Sequence, residues 1–241
     1  MRRFLVAFIC ALGAIGAFST SAHARQNAPQ PQPAQPQAAQ PQQPTQAQQN
    51  WTWCLNPGKQ FPADTSIKGC DAVIGANKDQ PRDMANAYYN RGIAYRSKGN
   101  LDRAIDDFTQ AIRLDSRESE FVNDRGAAYH AKGDIDRAIA DYDTAIRLDP
   151  KDVAAYNNRG IAYADRGNAD QAVSDYEQAL KIDERAGLYA RMRAHNQNLG
   201  LIRYYLGQWD LAEENFRRSL QISRDTGHLQ GEAMALLALG R

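Results

Sequence analysis

The chain has 241 residues, with 29 basic and 28 acidic side chains and a formal net charge of +1. This near-neutral balance leaves no broad basic field, so nucleic acid is excluded as the expected partner. Three histidines beyond residue 24, at His130, His195 and His228, are scattered without the spacing of a metal site. No metal and no cofactor are expected.

The N-terminus has the pattern of a secretory signal peptide. Arg2 and Arg3 precede an apolar run over 4–18, and Ala22-His23-Ala24 fits a cleavage site flanked by small residues. The run is shorter than the about 20 apolar residues that a membrane span needs. Residues 1–24 are therefore predicted to be removed after Ala24, which leaves a periplasmic or secreted protein without membrane insertion.

The next segment, 25–50, is predicted to be a disordered linker. It is rich in proline and glutamine and carries no charge after Arg25. Such a composition cannot bury enough apolar surface to fold, and proline favours an extended chain. A spacer or a docking strand is one interpretation of this linker, and a leader without a function of its own is the other.

Two cysteines follow the linker, Cys54 and Cys70. An even pair in an exported protein usually forms a disulfide, and this pair lacks the C-x-x-C spacing of a redox site. We therefore predict that residues 51–84 form an N-terminal cap. In this prediction a lone helix covers the open end of the following repeats and is tied by the disulfide to a loop that bears Trp51 and Trp53.

Beyond the cap, one pattern of small and aromatic residues recurs. Its core phrase appears as Asn90–Tyr95, Asp124–Tyr129 and Asn158–Tyr163, with glycines 34 residues apart. An alanine follows each glycine after twelve residues, and an aromatic residue follows four residues later. A fixed period with this internal pattern is typical of a solenoid of helix pairs.

These residues resemble the tetratricopeptide repeat. The resemblance implies an all-α, right-handed superhelical solenoid of antiparallel helix pairs, in which small residues allow close approach and the aromatic residue fills the gap to the next unit. About four units are predicted, with six residues inserted before the fourth, and a C-terminal helix or partial repeat is expected over 227–241. The units span 85–118, 119–152, 153–186 and 193–226.

An arginine and an aspartate recur together in three of the units. Arg91, Arg125 and Arg159 precede the phased glycines, and an aspartate follows each arginine after sixteen residues, whereas Leu199 and Asn215 occupy these places in the fourth unit. The hypothesis is an ion pair between the two helices of a unit. A bridge between neighbouring units and shared ancestry of the repeats are the alternatives.

The resemblance places the partner-binding surface on the concave side, which the first helix of each unit lines. One position there holds an amide in three units and a carboxylate in one, at Asn90, Asp124, Asn158 and Asn198. An amide both donates and accepts, so such a ladder can hold the main chain of an extended partner segment. The other residues expected in this groove are Tyr89, Asn123, Asn157, Gln197 and Tyr204. The alternative is that the amides join helices and the tyrosines belong to the core.

The sequence contains no phosphate-binding glycine loop, no metalloprotease motif and no nucleophile elbow. The expected function is therefore non-enzymatic: a protein–protein interaction scaffold of the cell envelope that binds a protein or peptide segment in its groove. Two alternatives stay open. One is self-assembly into a homo-oligomer through the C-terminal helix, and the other is an accessory subunit of an envelope enzyme.

Overall fold

The computed structural model describes residues 43–76 and 80–240. The predicted signal peptide, its cleavage site and residues 25–42 of the predicted linker lie outside the described residues. Within the described ranges, no helix is both long enough and apolar enough to cross a membrane.

The described residues form helices and turns, and each helix packs mainly on its neighbours in the chain. This arrangement confirms the predicted all-α solenoid of helix pairs. A short 3-10 helix, Pro57–Lys59, joins the first two helices. The α-helices are α1 (Gln46–Leu55), α2 (Ala63–Ala76), α3 (Pro81–Ser97), α4 (Leu101–Leu114), α5 (Ser119–Ala131), α6 (Ile135–Leu148), α7 (Val153–Asp165), α8 (Ala169–Ala186), α9 (Tyr189–Tyr205), α10 (Trp209–Asp225) and α11 (Leu229–Ala238).

Turns of three residues separate the two helices of each repeat. Gly99 and Gly133 adopt left-handed backbone conformations, with φ of 74° and 86°, which end the first helix. The next residues, Asn100 and Asp134, cap the second helix because their side chains accept hydrogen bonds from the backbone N–H three positions on. The local sequence thus fixes where each helix pair turns.

The phased glycines lie where the two helices of a pair come closest. A Cβ atom on Gly126 would lie 2.8 Å from the Tyr142 ring, and one on Gly200 would lie 2.5 Å from the Phe216 ring. Both aromatic side chains are buried, and the alanine that precedes each by four residues is buried as well. The core therefore continues along the stack as a series of glycine–aromatic contacts.

The predicted cap is a helix pair and not a lone helix. Thr45 caps α1 and forms a reciprocal capping box with Gln48, so the helix begins at Gln46. The predicted linker is therefore wrong for residues 46–50, and Trp51 and Trp53 lie on a helix instead of a loop. Composition pointed to a linker because the capping signal is embedded in a glutamine-rich stretch.

A disulfide joins Cys54 of α1 to Cys70 of α2, the two cysteines expected to pair, with 4.5 Å between their Cα atoms. Both cysteines are buried and cluster with Val73 and with Ala87 of α3. A Cβ atom on Gly69 would lie 2.6 Å from the Cβ of Trp53, so α1 and α2 are nearly in backbone contact. The helix pair α1–α2 thus packs on the first repeat as a preceding unit.

The residues inserted before the fourth unit lengthen two helices. Helix α8 has 18 residues where α6 has 14, and α9 has 17 where α7 has 13. The turn between them is short because Gly187 adopts φ 67° and Leu188 N–H donates to the Asp183 carbonyl at 3.0 Å. The insertion is absorbed by helix and not by an added loop.

The predicted bridge between the two helices of a unit is confirmed in all three units. Each arginine donates two hydrogen bonds to one carboxylate, a geometry that only a guanidinium provides. The pairs are Arg91–Asp107 (2.8 and 2.7 Å), Arg125–Asp141 (2.8 and 2.8 Å) and Arg159–Asp175 (2.9 and 2.6 Å). Burial raises the pKa of the Asp107 carboxyl, and its bonds to Arg91 act in the opposite direction.

The same arginines also bridge neighbouring units, so both structural interpretations hold at once. The third nitrogen of each guanidinium contacts the second helix of the preceding pair. These contacts are Arg91–Asp71 (2.6 Å), Arg125–Thr109 (3.2 Å) and Arg159–Asp143 (2.5 Å). Each guanidinium therefore joins two consecutive second helices from the first helix that lies between them.

The fourth unit keeps this arrangement with a different residue. Leu199 takes the place of the arginine and is buried, but Arg203, one turn later, donates to Asn215 at 2.6 Å and also bonds to Glu177. Asn215 and Glu177 stand where Asp175 and Asp143 stand in the unit before. In the aligned sequence the fourth unit lacks both the arginine and the aspartate. The structure shows that a guanidinium is nevertheless present, one helical turn later.

Candidate partner-binding groove

The predicted ladder residues occupy equivalent, half-buried positions on α3, α5, α7 and α9, the first helices of the four units. Three of them bond to a side chain on the first helix of the preceding repeat, next to that repeat's own ladder residue. Tyr89 donates to the Asp124 carboxylate at 2.9 Å, and Arg96 contacts the other oxygen of that carboxylate at 3.2 Å. The single aspartate of the ladder thus ties the first two repeats together.

The later ladder positions are joined by amide pairs. Asn158 donates to Asn123 at 3.0 Å, and Asn198 donates to Asn157 at 3.4 Å. Asn90 differs because it donates to the Asn86 carbonyl of its own helix at 2.7 Å. Part of the hydrogen-bonding capacity of the ladder is therefore used between repeats, as the alternative interpretation of the sequence expected.

Tyr89 is buried at the base of the groove. Its ring lies 4.7 Å from that of Phe121 and 5.8 Å from that of Phe108. Burial, and secondarily the Asp124 and Glu120 carboxylates, raise the pKa of the Tyr89 hydroxyl well above its usual value. Tyr89 therefore positions Asp124 as a neutral donor, and its ring belongs to the core.

Tyr204, by contrast, is exposed at the far end of the groove. Its ring meets Trp209 edge-on at 4.8 Å and Tyr205 edge-on at 6.1 Å. Gln197, about two helical turns before Tyr204, is half-buried on the same helix. Exposed aromatic side chains with few internal contacts supply contact area at low entropic cost when a partner binds.

Two cavities lie at the other end, between the cap and the first repeats. One has a volume of about 570 Å³ and the other about 310 Å³, and Leu55 and Asn90 line both. Asn90 is therefore the ladder residue that lines these cavities together with an apolar side chain, Leu55. The sequence analysis missed Leu55 and Phe61 here, because the segment before the repeats has no repeat phase that would place its side chains.

Exposed apolar residues concentrate in the C-terminal part. All of the exposed large hydrophobic residues in the described chain, apart from Leu55 and Leu148, lie between Leu188 and Leu237. The most exposed are Tyr205 and Leu237, each at 82%. This concentration of exposed apolar side chains makes the C-terminal part a candidate for contact with a partner.

A buried charged group joins α8 to α9. The Asp183 carboxylate is buried, accepts a contact from Arg191 at 2.6 Å, and lies 3.0 Å from His195 Nε2. Burial lowers the pKa of His195, and the hydrogen bond to Asp183 opposes that shift. The sequence analysis treated His195 as scattered because its partner lies on the preceding helix, across the insertion.

The remaining ionisable groups of the described ranges do not assemble into a metal site. No three histidine, cysteine, aspartate or glutamate side chains in residues 43–76 and 80–240 come together as potential ligands. His130 pairs with Asp165 at 2.8 Å, and His228 caps α11 by accepting from the Gly231 N–H at 2.9 Å.

Family models match three stretches of the chain. The model described as tetratricopeptide repeat matches residues 85–117 and 153–185, and the model described as TPR repeat matches residues 126–167. No curated protein matches the chain significantly in sequence.

Solved structures share the fold at low sequence identity. MamA from Desulfovibrio magneticus is 17% identical with a TM-score of 0.63, over 74% of this chain and 96% of that one. BtubC from P. vanneervenii is 20% identical with a TM-score of 0.65, over 75% and 80%. YrrB, described as a TPR protein with an unusual peptide-binding site, is 20% identical with a TM-score of 0.59, over 80% and 88%. The repeat matches show tetratricopeptide repeats within residues 85–117 and 126–185, and the likenesses to solved structures show that the chain shares their fold.

Proposed function

We propose that this protein is a non-enzymatic scaffold that binds a segment of a partner protein in the groove lined by the first helices of its repeats. The observation that carries the proposal is the composition of that groove. It has cavities at one end, half-buried amides along its length, and the exposed aromatic cluster of Tyr204, Tyr205 and Trp209 at the other end.

The ladder contributes to such a site in a limited way. Asn158 and Asn198 each spend a donor on the preceding repeat, so their remaining donor and acceptor are available for a partner main chain. Asp124 is paired with the charge of Arg96 and accepts a hydrogen bond from Tyr89, which lowers the cost of placing a carboxylate in the groove. The amides therefore orient a partner, and the apolar ends supply most of the binding energy.

The proposal includes a location in the cell envelope. It rests on the sequence pattern of residues 1–24 and is supported by the disulfide, since disulfides persist in oxidising compartments such as the periplasm and the extracellular space. Protein binding in this compartment is also the property that an accessory subunit of an envelope enzyme would need.

A second candidate function, self-assembly, is favoured by the surface of α11. Leu229 and Leu237 are highly exposed there, and no further helix packs on this face within the described residues. If the second candidate is correct, the protein sediments as a dimer and Leu237→Asp converts it to a monomer. If the groove is the site, Leu237→Asp leaves partner binding unchanged.

The experiment that tests the groove is affinity capture from envelope extract with the wild type and two variants. Tyr204→Asp places a charge on the exposed aromatic cluster, and Leu148→Asp is the matched control on the second helix of a repeat. We expect a partner that is retained by the wild type and the control and lost by Tyr204→Asp, with helical content unchanged in circular dichroism. Equal retention by all three proteins would contradict the proposal.

A further inference from the structure

The 570 Å³ cavity between the cap and α3 has a lining that distinguishes it from the rest of the groove. Leu55, Phe61 and Ile93 give it apolar walls, and Asn90 places it at the start of the ladder. Its volume is in the range of pockets that take a small ligand or a few side chains of a peptide. The other lining residues are Cys54, Asn56, Lys59, Ala63, Ser66, Ala94, Arg96 and Ser97.

The wall of the cavity is built by the connection between α1 and α2. In the repeats this connection has three residues, but here it runs over 56–62 and includes a 3-10 turn. Asn56 fixes the connection, since its side chain donates to the Phe61 carbonyl at 2.9 Å and accepts from the Phe61 N–H at 2.7 Å. The disulfide at Cys54 holds the same segment, so the wall is preformed.

A buried hydroxyl group also points to a ligand. Ser66 lines the cavity, is only 2% exposed, and its Oγ has no hydrogen-bond partner within the described residues. A buried polar group without a hydrogen-bond partner destabilises the folded protein. A bound partner with a polar atom would recover that free energy, which gives this position a reason to hold serine.

The charged side chains that line the 570 Å³ cavity are basic, whereas those that line the neighbouring 310 Å³ cavity include three carboxylates. Lys59 and Arg96 line the larger cavity, and no carboxylate does. Arg96 contacts Asp124 at 3.2 Å through one nitrogen, so its charge is partly compensated within the protein, and Lys59 is the exposed cation of the lining. Such a lining favours an anionic group at the mouth and an apolar group inside.

We propose that this cavity receives a large apolar or aromatic side chain of the partner segment, and that the residue next to it in the partner is acidic. The inference rests on the proposed function, because it names the class of segment that the groove recognises. In this arrangement the apolar side chain contacts Leu55 and Ile93, and the neighbouring carboxylate pairs with Lys59.

The test uses the purified protein labelled with ¹⁵N and three capped pentapeptides. The first is Gly-Glu-Phe-Glu-Gly, the second has lysine in place of glutamate, and the third has alanine in place of phenylalanine. We expect the first peptide to shift the amide signals of Leu55, Ser66 and Ile93 and to bind about fivefold more tightly than either of the others. Equal affinities, shifts elsewhere, or no shifts at millimolar peptide would overturn the proposal.

A charge reversal provides the second arm. Lys59→Glu is expected to weaken the acidic peptide about fivefold and to favour the basic one, whereas Lys151→Glu, in the turn before α7, leaves both unchanged. Both lysines are exposed, so neither substitution removes packing, and equal melting temperatures verify folding. Identical effects of the two reversals would mean that only net charge matters and the cavity is not involved.

Failure of this inference can be told apart from failure of the proposed function. The captured partner is tested against Lys59→Glu and Tyr204→Asp in parallel. Loss with Tyr204→Asp but not with Lys59→Glu keeps the groove and rejects the cavity. Retention by both rejects the groove itself.

Discussion

The first three repeats and the region from α9 onward solve the same packing problem with different side chains. In the first three, an arginine directly before the glycine holds an aspartate with two hydrogen bonds, and exposed large apolar residues are almost absent. From α9 onward, Arg203 bonds to an uncharged Asn215, and apolar exposure rises sharply. The difference teaches that the position of the guanidinium in space is preserved, whereas the residue that supplies it is not.

The largest effect is expected from breaking one ion pair of the first region. Arg125→Ala leaves Asp141 buried without its two charge-assisted bonds, and we expect a loss of about 2 kcal/mol in the free energy of unfolding. The loss is below that of a fully buried pair because the Arg125 side chain is 21% exposed and partly screened. Urea denaturation measures it.

The exchanged pair provides the control for this prediction. Arg125→Asp and Asp141→Arg should each destabilise the protein, and the double variant should recover part of the loss, since the two charges meet again. Additive losses in the double variant would show that the contribution comes from packing and not from the pair.

A smaller effect is expected in the second region. Arg203→Tyr introduces the residue type of Tyr163 and removes the bonds to Asn215 and Glu177, so we expect a loss of about 1 kcal/mol. Adding Leu199→Arg to this variant restores the arrangement of the earlier repeats and should recover stability. A double variant less stable than Arg203→Tyr alone would contradict the equivalence of the two arrangements.

The smallest effect concerns the pH dependence of the second region. Burial lowers the pKa of His195 below its unfolded value of about 6.5, so its contribution to stability is full above that pH and declines as pH falls toward the folded pKa. We expect His195→Gln to flatten the fall in stability as pH decreases below about 6.5, by less than about 1 kcal/mol per pH unit. His130→Gln, a half-buried pair with Asp165, is the matched control.

The sequence predicted the fold because each repeat carries its own local signals. Glycine at the close approach, the buried aromatic residue and the capped turns recur in phase, so helix pairs and their order followed directly. The three ion pairs were also predictable from their constant spacing. The cap was predicted less well, since its first helix begins within a glutamine-rich stretch and has no repeat phase.

The candidate site was harder to predict than the fold. Sequence comparison identified the ladder positions and left open that the amides join helices. It could not assign Asn123 and Asn157 as the partners of Asn158 and Asn198, because such contacts depend on how far one unit is rotated on the next. Leu55 and Ser66 could not be predicted as site residues for a related reason. They line a cavity that is formed by the connection between α1 and α2, and no periodic pattern in the sequence marks such a cavity. Arg203 stands where the earlier repeats hold a tyrosine, so its position in the sequence does not indicate the two partners to which it bonds.

The arginine bridges have a consequence for the stiffness of the whole stack. A solenoid can widen or narrow its groove only if consecutive second helices slide or splay relative to one another, as the coils of a spring do. Here a guanidinium joins α2 to α4, α4 to α6, α6 to α8 and α8 to α10. The bridges thereby restrain the curvature of the stack. In the proposed scaffold a partner would meet a groove whose width is set before binding, which would lower the entropic cost of association.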